Sequence, residues 1–163
     1  MVKEVLQDPN PVLHKKSLPI TQNFGGTFLT ELILDMKDTL RQQDGLGLAG
    51  PQIGESLAIF VIPDAIAPQV RTPKMPFTLI KPLKPTVFIN PKIACISPDM
   101  ETLEEGCLSI KGIFKSTPRS YKVKLKALDE RGRKITVTAE GLLARIFQHE
   151  TDHLNGVLFI DRL

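Results

Sequence analysis

Two imidazoles and a carboxylate crowd into one short stretch, Gln148-His149-Glu150-Thr151-Asp152-His153. On a helix, histidines four residues apart share one face, one turn apart, where both can hold a single metal ion. Glu150 then stands beside the same ion and can handle protons for a water bound to it. The chain has only three histidines, and two of them are here. The competing reading is a polar helix face that matches the spacing by chance. A third ligand decides between them.

Zinc endopeptidases with this spacing draw their third ligand from downstream, but only ten residues follow His153. The long form of that pattern places a histidine where this chain has Phe159, and the downstream carboxylate, Asp161, lies at the chain end. The search therefore turns upstream. Cys107 follows a glycine and two acids, and thiolate is a strong ligand for zinc and ferrous ions. Cys107, His149 and His153 would leave a fourth position for water, the arrangement of a catalytic metal. A divalent ion, one thiolate and two neutral imidazoles sum to about +1, which makes a bound water far more acidic. Glu150 would carry its proton to a leaving amine. Carbonyl hydrolysis also needs donors for the developing oxyanion, and the Gln52 amide and the Leu108 backbone N–H are candidates. His14, beside Lys15 and Lys16, has no ligand spaced with it and reads as a surface histidine.

These residues need elements to place them. Leu29, Leu32, Ile33, Met36 and Leu40 recur at helical spacing and predict a helix over 26–43, with Thr27 or Thr30 as its cap. Residues 45–54 hold four glycines and read as a loop that brings backbone groups and Gln52 close to a ligand, or as a tight turn into the next strand. Strands are expected at 57–62, 86–90, 92–97, 122–128 and 134–139, with a hairpin turn at Asp129–Gly132 and a brief strand at 3–6. The second helix opens at Glu140-Gly141, carries the two histidines and ends at Asn155-Gly156, followed by a last strand at 157–160. Pro63, Pro68, Pro73, Pro76, Pro82 and Pro85 make 63–86 a long surface loop, with an edge strand at 77–80. Cys95, between Ala94 and Ile96, reads as a small buried side chain.

Composition narrows the class. With 163 residues, 42% hydrophobic and 24% charged, one globular domain over 1–163 is expected. A net charge of +3 is too weak to argue for DNA binding. Two cysteines make no disulfide framework, and no apolar run is long enough to span a membrane. A cytoplasmic protein is the expectation, with an organelle stroma or matrix as the alternative.

At three ordered motifs the sequence resembles the peptide deformylase family: Gly45-Leu46-Gly47-Leu48-Ala49-Gly50-Pro51-Gln52, Glu105-Gly106-Cys107-Leu108-Ser109, and Gln148–His153. Flanking text agrees at Asp8–Leu13, Pro118-Arg119 and Gly141–Arg145, so the resemblance spans nearly the whole chain. It implies an α+β fold with antiparallel or mixed sheets around a central metal-binding helix. It implies removal of the formyl group from formylmethionine on new proteins, with release of formate. Cys107, His149 and His153 would hold one divalent ion, ferrous first, with zinc, nickel or cobalt as alternatives. Glu150 would be the general acid/base, and Gln52 and the Leu108 N–H the oxyanion donors. The formyl-peptide would lie extended beside Gly45, Leu46 and Gly47, its methionine in a pocket of Leu46, Leu103, Leu142, Ile146 and His149. The chain departs from the family in Gly50, usually alanine, and in the length of 63–86. It ends at Leu163 without the C-terminal helix that some members use to dock on the ribosome, so contact near the exit tunnel would use another route. A carboxylate two residues before the thiolate invites a cation, and Arg119 is the expected partner of Glu105. Two other readings differ in kind: an endopeptidase, which lacks its downstream ligand, and a binding module whose metal is closed by a fourth protein ligand.

Overall fold

Alternation along Lys122–Leu128 sends Val123, Leu125 and Ala127 inward and the lysines outward, the pattern of a strand with one wet face. That strand is the spine of the larger sheet. A computed structural model describes residues 1–64 and 86–162. The elements are α1 (Thr27–Arg41), β1 (Leu48–Ala49), β2 (Ile59–Val61), β3 (Val87–Cys95), β4 (Met100–Cys107), β5 (Ile110–Ser120), β6 (Lys122–Leu128), β7 (Lys134–Glu140) and α2 (Gly141–Leu154). Short 3-10 turns cover Pro11–His14, Gly50–Ile53 and Phe159–Arg162. Strands β1-β2-β3-β6-β7 form a five-stranded sheet in that order, and β4 and β5 form a separate hairpin. All of these pairings are antiparallel; one isolated parallel bridge joins Leu18 to Leu57.

Two apolar layers fix the sheet. On one side α1 lays Leu29, Leu32, Ile33, Met36 and Leu40 against Leu48, Ile59, Val61, Val87 and Ile89. On the other, α2 packs Ala144, Ile146, Phe147 and Leu154 against Phe60, Phe88, Val123 and Leu125. Phe60, Phe88 and Phe147 meet ring to ring, with centroids 4.8, 5.0 and 6.0 Å apart. Edge and offset contacts of this kind add to the area they bury. The remaining sides of α2 are also buried: Arg145, Glu150, Asp152 and His153 are each less than a tenth exposed. A helix that hides charged residues needs partners for them, and the β4–β5 hairpin supplies them for Arg145 and Asp152.

Several expectations are corrected. The strands expected at 86–90 and 92–97 are one strand, β3, carried past Pro91 by a bulge between Ile89 and Lys92. Asn90 takes φ 50°, and its side chain bonds the Ile20 N–H at 2.9 Å and the Ile20 carbonyl at 2.6 Å, standing in for a strand neighbour. Residues 157–160 form no strand; the segment turns into the 3-10 helix Phe159–Arg162, capped where the Leu158 N–H donates to Asp161 Oδ2 at 2.8 Å. Residues 3–6 are extended but make no ladder; the Leu6 N–H donates instead to the Gln52 carbonyl. Helix α1 starts from Gly26 with no side-chain cap, so neither Thr27 nor Thr30 caps it. Cys95 is exposed although it stands opposite the buried Val123, because it is the last residue of β3. The edge strand expected at 77–80 lies outside the described residues, as does most of the Pro-rich stretch. No helix among the described residues is long and apolar enough to cross a membrane.

The aromatic triplet carries much of the packing between α2 and the sheet. Phe88→Ala should lower the unfolding free energy by about 3–5 kcal/mol, read from the urea midpoint at unchanged slope.

Candidate metal centre

Cys107 is the last residue of β4, and Leu108 and Ser109 make the turn into β5. The hairpin thereby carries the thiol to α2. The ligand atoms of Cys107, His149 and His153 all lie within 4.8 Å of one another. Cys107 Sγ is 3.3 Å from His153 Nε2, and the two imidazole rings stand 5.0 Å apart, edge to face. The Ser109 N–H donates to Sγ at 3.4 Å and Gln52 Nε2 at 3.7 Å, contacts that hold the sulfur in place.

Glu105 decides which nitrogen His149 offers. Its Oε1 accepts from Arg119 Nε at 2.9 Å and from Arg145 Nη1 at 2.7 Å. Its Oε2 accepts from Arg119 Nη2 at 2.9 Å and from His149 Nδ1 at 3.1 Å. A carboxylate has about four lone-pair sites, and all four are taken. With Nδ1 donating to Glu105, Nε2 is the nitrogen left to face Cys107 and His153, and a cation bound there would displace its proton. One soft thiolate and two imidazoles, converged and oriented this way, fit a single divalent cation.

The carboxyl of Glu150 sits differently. It is 3% exposed, and its buried Oε2 has no partner among the described residues. Gly47 lies so close that a Cβ there would overlap Glu150 Oε1, and a Cβ on Gly45 would come 2.7 Å from Leu108 Cδ1. Both glycines let the backbone graze the centre. Burial pushes Glu150 up to about 7 against the attraction of His149. Burial would also raise Glu105, but hydrogen bonds from Arg119 and His149 outweigh it and hold the group well below the usual carboxylate range. The histidines diverge too. Burial pulls both down; for His149, hydrogen bonds to Cys107 and Glu105 reverse the sign, to about 10, while His153 stays well below its ordinary value. A buried carboxyl that titrates near neutrality beside a cation site is suited to carrying a proton.

A cleft of about 1080 Å³ opens onto this centre. Gly45, Leu46, Gly47, Gln52, Cys107, Leu108, Leu142, Ile146, His149 and Glu150 all line it. His153 is buried behind the wall. Leu103 is half-buried in β4 opposite Thr117, on the strand face that Glu105 shares, and is not among the residues that line the cleft. Gln52 Oε1 accepts from the Ala49 N–H at 2.9 Å, which aims Nε2 at Ser109 Oγ and Cys107. His14 is exposed and bonded to Asp8, away from the centre. Arg119 pairs with Glu105 as expected. Arg145, Asp152 and Arg162 join the site only in the folded chain. Arg145 and Asp152 carried one usable signal, charges at positions of α2 that its apolar spacing turns inward.

A family model described as polypeptide deformylase matches residues 2–163. The chain belongs to this family. A peptide deformylase of Pseudothermotoga lettingae is 40% identical over 161 residues, covering 99% of this chain and 82% of that protein. The solved peptide deformylase of Thermotoga maritima superposes with a TM-score of 0.84 at 37% identity, covering all of this chain and 98% of that one. A Met-Ala-Ser-bound deformylase of Acinetobacter baumannii superposes with a TM-score of 0.88 at 31% identity, covering all of this chain and 99% of that one. The α+β architecture, two helices with antiparallel sheets, is therefore the deformylase fold. Deformylases are metalloenzymes, and this chain is a hydrolase that removes the N-formyl group from N-terminal formylmethionine peptides.

The two glutamates set opposite pH dependences in protein stripped of metal by a chelator. Glu105 has a lowered folded value, so its stabilisation is complete above the ordinary 4.5 and is lost as pH falls below it. The stability lost in Glu105→Gln should be largest near pH 6 and shrink toward pH 3. Glu150 has a raised folded value, so its ionisation costs stability as pH rises from 4.5 through about 7. Glu150→Gln should be more stable than wild type at pH 8, on the order of 3 kcal/mol, and equal to it near pH 4, both by urea unfolding.

Proposed function

We propose that residues 1–163 form one catalytic domain in which Cys107, His149 and His153 hold the cation and Glu150, Gln52 and Leu108 act on the substrate. The observation that carries this reading is the convergence of the three ligand atoms beside a buried, unpartnered carboxyl. A divalent cation held there supplies Lewis acidity toward the formyl carbonyl and lowers the pKa of water. Ferrous iron is the resident ion on this reading, and zinc, nickel or cobalt suit the same donors.

The chain's own groups divide the remaining work. The peptide lies extended beside Gly45, Leu46 and Gly47, adding a strand through backbone hydrogen bonds. Its methionine side chain enters between Leu46, Leu142, Ile146 and the His149 ring, which line the cleft, with Leu103 on β4 completing the pocket. Glu150 takes the proton of the attacking water and passes it to the amine nitrogen as the C–N bond breaks, which yields formate and a free N-terminus. A carboxyl titrating near 7 can both accept and return that proton at neutral pH. Gln52 Nε2 and the Leu108 N–H donate to the oxygen that becomes negative during attack. Gln52 is held for this by the Ala49 N–H, so little reorganisation is needed. The setting is cytoplasmic, on nascent chains, with the enzyme near the ribosomal exit.

Formate release from formyl-Met-Ala-Ser tests the reading. Glu150→Gln should lose about 10²–10⁴-fold in kcat, and Gln52→Ala about 10²–10³-fold. Chelation should abolish turnover, and ferrous ion added without air should restore it. Wild-type kcat in Glu150→Gln would overturn the assignment of the proton carrier.

A further inference from the structure

The Phe159–Arg162 turn lies outside the mechanism above, yet it touches the metal centre by two separate routes. Phe159 is buried and nearly parallel to the His149 ring, with centroids 6.3 Å apart and planes at 26°. Arg162 grips Asp152, with Nε donating to Oδ2 at 2.5 Å and Nη2 donating to Oδ1. Asp152 Oδ2 also accepts from Arg119 Nη1 at 2.5 Å, and Arg119 turns its other two nitrogens to Glu105, the partner of His149. Charges therefore alternate along one line: Arg162, Asp152, Arg119, Glu105, Arg145.

Arg119 is 2% exposed and divides one guanidinium between two carboxylates. How it divides depends on what else neutralises Asp152. With Arg162 in place, Asp152 has a second cation, and the Nε–Nη2 fork of Arg119 stays on Glu105. Without Arg162, a mostly buried carboxylate keeps Arg119 alone, and the guanidinium is drawn toward it. Any rotation that improves the Asp152 contact loosens the fork on Glu105 and so the grip on His149 Nδ1. Glu105 has no spare lone pair with which to adjust.

We infer that Arg162 is a positioning residue for the metal centre, acting on His149 through Asp152, Arg119 and Glu105, with Phe159 setting the plane of the same ring. The inference rests on His149 being a metal ligand. Arg162 is 43% exposed, so its replacement need not prevent folding. The plain alternative is a clamp that fastens the last turn and nothing more. Such a clamp would change thermal stability without changing the metal's surroundings.

The test uses full-length protein loaded with cobalt(II), whose visible absorption reports ligand geometry. Arg162→Met should release cobalt to excess chelator about tenfold faster than wild type, with a shifted absorption band. Its kcat for formyl-Met-Ala-Ser should fall severalfold while KM stays within twofold. Arg162→Lys should recover only part of this, because an ammonium cannot make the two-pronged contact. Arg133→Met removes an exposed hairpin pair with Asp129 and should leave cobalt release unchanged. A wild-type release rate and band in Arg162→Met, whatever its melting temperature, would overturn the inference, as would an equal effect in Arg133→Met. Failure of wild type to bind cobalt at all would instead remove the metal-ligand reading beneath it.

Discussion

The buried carboxylate of Glu105 is the point on which this molecule turns. It joins β4 to β5 through Arg119, β4 to α2 through Arg145 and His149, and it sits two residues from the Cys107 thiol. A charge taken out of water is costly unless its partners are well placed, and breaking one side of a buried pair is far worse than never building it. Here every lone pair is engaged, so the hairpin and the helix have one way to meet. The same geometry sets the tautomer of His149 and thereby the direction of its free nitrogen.

The rest of the architecture reads as support for that meeting. The five-stranded sheet takes the apolar side of α2, and the Phe60–Phe88–Phe147 cluster resists sliding because ring packing is sensitive to small displacements. With the helix held on one side by apolar contact and on the other by ion pairs, His149 and His153 are fixed before any ligand arrives. The glycine loop then closes over Glu150, with Gly47 against its carboxylate. Desolvation of that carboxyl raises its proton affinity toward neutrality, which an exposed glutamate would not achieve. Structure and chemistry share one device, the burial of charge between a sheet and a hairpin.

Much of the site is legible in the chain because its chemistry is local in sequence. The spacing of His149, Glu150 and His153 on a helix needs no tertiary information, and Cys107 stands out by its setting after two acids and a glycine. The α1 stripe and the β6–β7 hairpin are legible for the same reason, since period 3.6 and period 2 are properties of neighbours. The β4–β5 hairpin was not recognised as a pair of strands. Along β5, Gly112, Pro118 and a run of exposed residues hide the alternation, and what holds the hairpin is buried charge contributed by α2.

From the sequence by itself came the helix with both histidines, the candidate thiol ligand, the candidate proton carrier, and the pairing of Glu105 with Arg119. Tertiary structure alone decided which nitrogen His149 offers, why Gly47 must be a glycine, and that Arg145, Asp152 and Arg162 extend one charge network to the Phe159–Arg162 turn. The physical reason is range. Spacing along a helix or strand is set by the backbone over a few residues. The saturation of one carboxylate by groups 14, 40 and 44 positions away exists only once the chain has folded.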